Sequence, residues 1–205
     1  MKIVLPSGRL LEDSISVLRQ TIPGLTIEKN RELTHSNGNH EVLLAKPADV
    51  PTYVEEGADI GITGRDVVHE KSPDVFVPLS LPFGQCRVSV ARMDEDSTTP
   101  RQMDGYRIAT EYPSITREFF RSLGVAIEVI VVDGSTELAP SAGIADAVVD
   151  VVQTGNTLAA NGLVEAKTIL ESSALLLVNR ISQKTQFDRV NELVYSIREV
   201  VKNGS

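Results

Sequence analysis

Cysteine is nearly absent from this chain. The single residue, Cys86, excludes an intramolecular disulfide and leaves no cysteine-based zinc site. No apolar run approaches the ~20 residues that cross a bilayer, so no membrane contact is expected. Pro6 cuts short the apolar start Ile3-Val4-Leu5 that follows Met1-Lys2, so no secretion leader is expected either. These absences predict a soluble, cytoplasmic protein. Basic residues are outnumbered, 20 Lys and Arg against 28 Asp and Glu, for a net charge of −8. A nucleic-acid backbone would be repelled overall, which excludes non-specific nucleic-acid binding. A small anion needs only a local cluster of donors and is not excluded. His35, His40 and His69 lack metal-ligand spacing. No Ser/His/Asp triad and no general-base histidine are visible, so any reaction depends more on placing charge than on moving protons.

The pattern that is present alternates strand and helix. Ile3–Leu5 reads as a strand. Leu11, Ile15, Leu18 and Ile22 recur at helical spacing until Pro23-Gly24. Thr26 to His40 is polar and holds the turn signal Asn37-Gly38. Strands are expected at Val42–Ala45, Asp59–Thr63, Val75–Leu81, Arg87–Ala91, Arg107–Thr110, Ile127–Val132, Ala147–Val152, Ala166–Leu170 and Leu175–Asn179. Helices are expected at Pro47–Gly57 with Val50, Tyr53 and Val54 on one face, at Gly64–Glu70, at Ser114–Leu123 and at Thr136–Ala142. A last helix has Phe187, Val190, Val194, Ile197 and Val201 on its apolar face. The class is therefore α/β with largely parallel sheets. With 205 residues the chain makes one large domain or two small lobes.

The most informative stretch is residues 146–157. A β run broken by one carboxylate, Asp150, opens into Thr154-Gly155-Asn156-Thr157 and then into helix-forming residues. Strand, small-residue loop and helix start leave backbone N–H groups free to meet an anion. The hydroxyls and glycine suit a phosphate. Asp146 and Asp150 suit ribose hydroxyls or a hydrated Mg²⁺. A tight connection with no ligand is the other reading. The loop is neither a Walker loop, since no Gly-Lys-Ser/Thr follows, nor a three-glycine dinucleotide turn. A similar Thr63-Gly64 helix start follows Asp59–Thr63. Either two similarly built lobes face one another or two α/β units share loop grammar by chance.

Other positions carry charge at turns. Arg9 follows Ser7-Gly8 at a helix start, where a guanidinium suits a phosphate or simply faces solvent. Arg31 lies in the polar stretch near His35 and His40. It suits a leaving diphosphate or solvated surface. Phe83-Gly84-Gln85-Cys86-Arg87 precedes a strand, where Arg87 could face a cleft and Cys86 fits a small buried apolar site. In Asp133-Gly134-Ser135-Thr136-Glu137, Ser135 or Thr136 would cap the next helix if the turn is only structural. Glu137 fits the helix dipole or accepts from ribose hydroxyls.

Taken in order, these segments resemble one family. Leu5-Pro6-Ser7-Gly8-Arg9-Leu10, Lys46-Pro47-Ala48-Asp49-Val50-Pro51, Ala58-Asp59-Ile60-Gly61-Ile62-Thr63-Gly64-Arg65-Asp66, Gly84-Gln85-Cys86-Arg87, Ser135-Thr136-Glu137-Leu138-Ala139-Pro140, and Asp146 through Leu158 with Asn161-Gly162-Leu163-Val164-Glu165 are similar to the ATP phosphoribosyltransferases. These enzymes open histidine biosynthesis. The resemblance covers residues 2–201. It implies two α/β lobes of type II periplasmic-binding-protein-like architecture with a cleft between them. The first lobe would be 1–91 plus 177–205 and the second, 92–176, would carry the loop for phosphoribosyl diphosphate. It implies phosphoribosyl transfer from that donor to N1 of the adenine of ATP, with Mg²⁺ carried by substrate.

The resemblance also places residues. Gln153, Thr154, Gly155, Asn156 and Thr157 would hold the 5-phosphate, and Asp146 and Asp150 the ribose or the metal. Arg9 and Arg31 would be catalytic at the diphosphate or triphosphate groups. Gly84, Gln85, Cys86, Arg87 and Glu137 would line the ATP site or the cleft. The length looks like the short, catalytic-only form, which implies a homodimer that joins a regulatory subunit related to histidyl-tRNA synthetase in a hetero-octamer. Two positions depart from the family. Ser80-Leu81-Pro82 stands where members often have an Asp-Leu-Gly-like approach. Gln153 carries no charge, which leaves any acidic role to Asp150 or Asp146.

Overall fold

The structure is a computed structural model and describes residues 1–27, 33–37 and 39–203. In chain order its elements are β1 (Lys2–Pro6), α1 (Leu11–Thr21), β2 (Thr34–Asn37), β3 (His40–Ala45), α2 (Val50–Glu55), β4 (Ile60–Gly64), α3 (Arg65–Lys71), β5 (Val75–Ser80), β6 (Cys86–Met93) and β7 (Arg107–Thr110). There follow α4 (Pro113–Leu123), β8 (Glu128–Val131), α5 (Leu138–Ser141), β9 (Ala147–Val152), α6 (Asn156–Ala160), β10 (Leu163–Ser172), β11 (Ala174–Asn179), α7 (Arg180–Thr185) and α8 (Phe187–Asn203). The chain divides into two units, Met1–Gly84 with Ser173–Ser205, and Gln85–Ser172.

The first unit is a six-stranded sheet in the order β2-β3-β1-β4-β11-β5. Period-two alternation divides its core between two faces. Ile3, Leu5, Ile60, Ile62 and Leu176 pack on one side with Ile15 and Leu18 of α1 and Val190 and Ile197 of α8. Val4, Leu175 and Leu177 pack on the other with Val50 and Val54 of α2. Asn179 ends β11 and starts α7, its Oδ1 accepting from the amides of Ile181 at 2.8 Å and Ser182 at 2.9 Å.

The second unit is a five-stranded sheet in the order β10-β6-β9-β7-β8. Val88, Val90, Ile108, Ala147 and Val149 meet Ile115 and Phe120 of α4 on one face. Ala91, Ala109, Val148 and Val152 meet Ala139 and Leu158 on the other.

Several expectations are corrected here. The crossings near residues 91 and 177 fall instead at Gly84/Gln85 and Ser172/Ser173. A strand joins one sheet along its whole length. β6 pairs from Cys86 onward with β10, and β11 pairs from Ala174 onward with β4. The sheets are mixed rather than largely parallel. β1 runs parallel to β3 and β4, and β7 to β8 and β9, but β6 and β11 are antiparallel to both neighbours. Those are the first strands after each crossing, and no helical crossover turns them round. The polar stretch before His40 contains β2, antiparallel to β3. The last helix is two, α7 and α8, and Phe187 at its start is 58% exposed rather than on the buried face. Tyr53 is also exposed, and Pro51 takes its place beside Val50 and Val54.

Candidate active site

The second sheet has its topological switch between β9 and β7. The chain leaves β7 through α4 towards β8, and leaves β9 through α6 towards the opposite side. Neighbouring parallel strands whose connections diverge open a crevice at their carboxyl ends, where α/β sheets bind ligands. Gln153–Thr157 lies at that end of β9.

The loop itself is shaped by one glycine. Gly155 caps α6 in the left-handed region, φ +84 and ψ −3. The side chains of Gln153, Thr154, Asn156 and Thr157 are exposed, whereas Leu158 anchors the helix in the core. The Asn156 amide donates to Thr154 Oγ1 at 3.4 Å, and Asn161 Nδ2 donates to the Thr157 carbonyl at 2.9 Å. The first-turn amides of α6 have no partner inside the helix, which suits an anion.

Beside the loop, register selects a polar face. Ser89 pairs with Asp150, Arg87 with Val152 and Ala109 with Val148, so Arg87, Ser89 and Asp150 share one face of the sheet. Asp150 is held by two donors. Thr136 Oγ1 donates to its Oδ2, and the Val151 amide donates to Oδ1 at 2.6 Å. Burial nevertheless raises its pKa above the ordinary value, with Glu137 adding to the shift against those two hydrogen bonds. Glu111, just past β7, is raised as well, first by desolvation and then by the charge of Asp150. Asp133 and Glu137 push it further in the same direction. A crevice that disfavours its own carboxylate charges favours a ligand with hydroxyl donors or a cation. Among the described residues, no three acidic, histidine or cysteine side chains come together as a metal cage.

The placement of other expected residues differs. Asp146 precedes β9, so a six-residue strand of about 20 Å separates it from the loop. It accepts from Arg107, at 2.8 Å from the backbone amide and at 2.8 Å from Nη2. The Arg107 hydrogen bond lowers its pKa. Asp146 is thus a brace at the opposite end of the sheet, not a partner of Asp150. Cys86 is buried where β6 begins, which removes it from any surface. Gly84 belongs to the first unit, at φ +71. A Cβ there would come within 2.2 Å of Leu10 Cδ2. Arg9 is exposed and donates through Nη1 to the Gly84 carbonyl at 2.9 Å. Gln85 is exposed and begins the second unit. Arg87 pairs with Glu165. Glu137 caps α5 half-buried. Arg31 lies outside the described residues.

The Thr63-Gly64 echo is one of position, not conformation. Gly64 has φ −75, and Thr63 is buried with its hydroxyl on the Pro47 carbonyl at 2.8 Å. Glu111, near Asp150, and Glu165, near Gly155, are not among the residues the sequence points to. Glu111 follows a parallel strand at its carboxyl end, a signal the switch-point rule could have used. Glu165 carries no local signal, because its ion pair with Arg87 forms across strands.

Comparison with known proteins decides the family. The family model HisG, ATP phosphoribosyltransferase, matches residues 46–199. A protein named ATP phosphoribosyltransferase from Thermococcus gammatolerans is 59% identical over 208 residues, covering 100% of both chains.

The chain belongs to the ATP phosphoribosyltransferase family.

The relative of that name from Pyrococcus furiosus is 55% identical and covers 98% of each chain. Among solved structures, the ATP phosphoribosyl transferase (HisG:HisZ) complex from Thermotoga maritima matches with a TM-score of 0.87 at 32% identity, covering 99% of each chain. Holo ArgBP from T. maritima matches with a TM-score of 0.61 at 15% identity, over 98% of this chain and 89% of that one. It shares the periplasmic-binding-protein-like fold alone. As an ATP phosphoribosyltransferase the chain is a pentosyltransferase that catalyses the first step of histidine biosynthesis. No described helix is long and apolar enough to cross a membrane.

Proposed function

We propose that the β9–α6 turn holds the 5-phosphate of phosphoribosyl diphosphate while Asp150 and Glu111 accept from the ribose hydroxyls. The observation that carries this reading is the left-handed Gly155. It presents Thr154, Asn156 and Thr157 as exposed donors at the carboxyl end of β9, on the edge where Asp150 and Glu111 lie. N1 of the adenine of ATP gives its lone pair to the anomeric carbon. The bond from that carbon to the diphosphate oxygen breaks, and the diphosphate leaves with the electron pair. The positive charge gained by the adenine is relieved by loss of a proton from its amino group.

N1 is already a nucleophile, so catalysis rests on alignment and on charge stabilisation. Mg²⁺ would travel on the diphosphate. Arg9 and Arg31 are the proposed cations for the polyphosphate groups, and Gln85 and Glu137 are proposed at the ATP site. The T. maritima relative was solved as a HisG:HisZ complex. We read this chain likewise as a short catalytic subunit in the cytoplasm. It would form homodimers that join a regulatory subunit related to histidyl-tRNA synthetase in a hetero-octamer.

The test is diphosphate release from phosphoribosyl diphosphate, ATP and Mg²⁺. Thr154→Ala and Thr157→Ala should each raise the KM for phosphoribosyl diphosphate by about 1–2 kcal/mol, the worth of one charge-assisted hydrogen bond, with the KM for ATP unchanged. Unchanged KM values in both variants would remove the phosphate from this loop.

A further inference from the structure

Arg87 stands beside the start of the phosphate loop, because the register of β6 pairs it with Val152. Three of its five N–H groups have partners here. Nε donates to Glu165 Oε2 at 2.8 Å, Nη2 donates to Glu165 Oε1, and Nη1 donates to the Gln153 carbonyl at 3.1 Å. Glu165 reaches the same loop from β10. A Cβ placed on Gly155 would lie 3.7 Å from its Oε1. One ion pair therefore borders the loop at its first residue and at its left-handed glycine.

Two physical consequences follow. In a planar trans peptide the C=O and the next N–H point in opposite directions. Drawing the Gln153 carbonyl towards Arg87 therefore aims the Thr154 amide away from the sheet side, as a donor to an anion. The second consequence is electrostatic. A bare carboxylate near Gly155 would repel a phosphate, and the guanidinium neutralises it at contact distance. The hydrogen bond from Arg87 holds the Glu165 carboxyl below its ordinary pKa, so this acid stays charged and needs that partner.

We propose that Arg87 and Glu165 are positioning residues that orient the 153–157 loop for the 5-phosphate, an inference that rests on reading this loop as the phosphate cradle. Arg87 supplies the orientation and the neutral surroundings, and Glu165 fixes the guanidinium plane. Neither residue touches the reacting atoms.

The test is calorimetric titration of phosphoribosyl diphosphate with Mg²⁺, and of ATP separately, into the full chain and its variants, with melting temperatures alongside. Arg87→Met should weaken phosphoribosyl diphosphate binding by about tenfold or more, the loss of a charge-assisted contact, and leave ATP binding within about twofold. Adding Glu165→Gln to Arg87→Met should recover part of that loss, because the repelling carboxylate is gone while the carbonyl stays unpinned. A purely structural role would make the double variant no better than the single one. Should Arg87→Met fail to fold, Arg87→Lys keeps a charge near Glu165 but loses the planar fork, and should weaken the same ligand selectively. Equal weakening of both ligands, or none of either, overturns the proposal. The cradle itself is tested apart, by Thr157→Ala. If that variant binds phosphoribosyl diphosphate normally, the reading of the loop fails, whatever Arg87 does.

Discussion

Gly155→Ala isolates the backbone contribution to the proposed phosphate loop. A Cβ at this position would meet Glu165 Oε1 at 3.7 Å and Val152 Cγ1 at 4.0 Å, both ordinary contacts. Space is therefore available, and the cost is conformational. A left-handed residue with a side chain costs about 1–2 kcal/mol. That energy must surface in one of two places. If the variant keeps the left-handed turn, the fold loses this amount, and Tm falls by about 2–4 °C per kcal/mol for a chain of this size. If the turn relaxes, the fold keeps its stability. Rebuilding the turn around the ligand then weakens phosphoribosyl diphosphate about 5- to 30-fold. The loop side chains are exposed and few contacts hold them, so the second outcome should dominate. The assay pairs thermal melting with the KM for each substrate in wild type, Gly155→Ala and Gly155→Asn. Asparagine visits the left-handed region more readily and should recover most of the loss. An alanine variant with unchanged Tm and unchanged KM would refute the reasoning.

Asp59→Ala should cost about 3–5 kcal/mol in denaturant unfolding, because three donors to a buried carboxylate lose their acceptor. These are the Lys2 amide at 2.6 Å, Ser182 Oγ at 2.6 Å and Gln186 Nε2 at 2.9 Å. A folded variant should retain the wild-type KM for phosphoribosyl diphosphate. Asp150 has a raised folded pKa, so it protonates before ordinary carboxylates as pH falls from neutrality. Affinity for phosphoribosyl diphosphate should therefore decline on the acid side above the usual carboxylate range, and Asp150→Asn should bind weakly and flatten that decline. The sign for stability is opposite to that of a paired acid, since protonating Asp150 favours the folded state. Asp146 is the paired acid, with its folded pKa lowered by Arg107. Its contribution is present above its ordinary 3.8 and lost as pH falls through the lower folded value. Arg107→Met should remove that acid-range component from a pH series of unfolding.

Much of the site was legible as local grammar. The strand, the glycine turn and the short helix at 147–160 follow from neighbours in sequence, and so does the exposure of Thr154 and Thr157. Asp146 and Asp150 were harder to separate. Both are acids near one strand, but one precedes it and the other lies within it near the carboxyl end. Direction along the strand, rather than spacing, sends them to opposite ends of the sheet. Phe187 fitted a helical stripe and is exposed, because a stripe predicts a face and not where packing against the sheet begins.

By itself the sequence determined the α/β alternation, the family and the loop proposed to take an anion, because each depends on short-range pattern or on ordered motifs. Tertiary structure alone decided the partners. Thr136 on Asp150, Glu111 beside it and Arg87 between Glu165 and Gln153 are brought together by pairing between strands far apart in the chain. It also reversed β6 and β11 in their sheets. The reason is that register and strand direction are set by which faces can be buried together, a property of the assembled layers that no single segment carries.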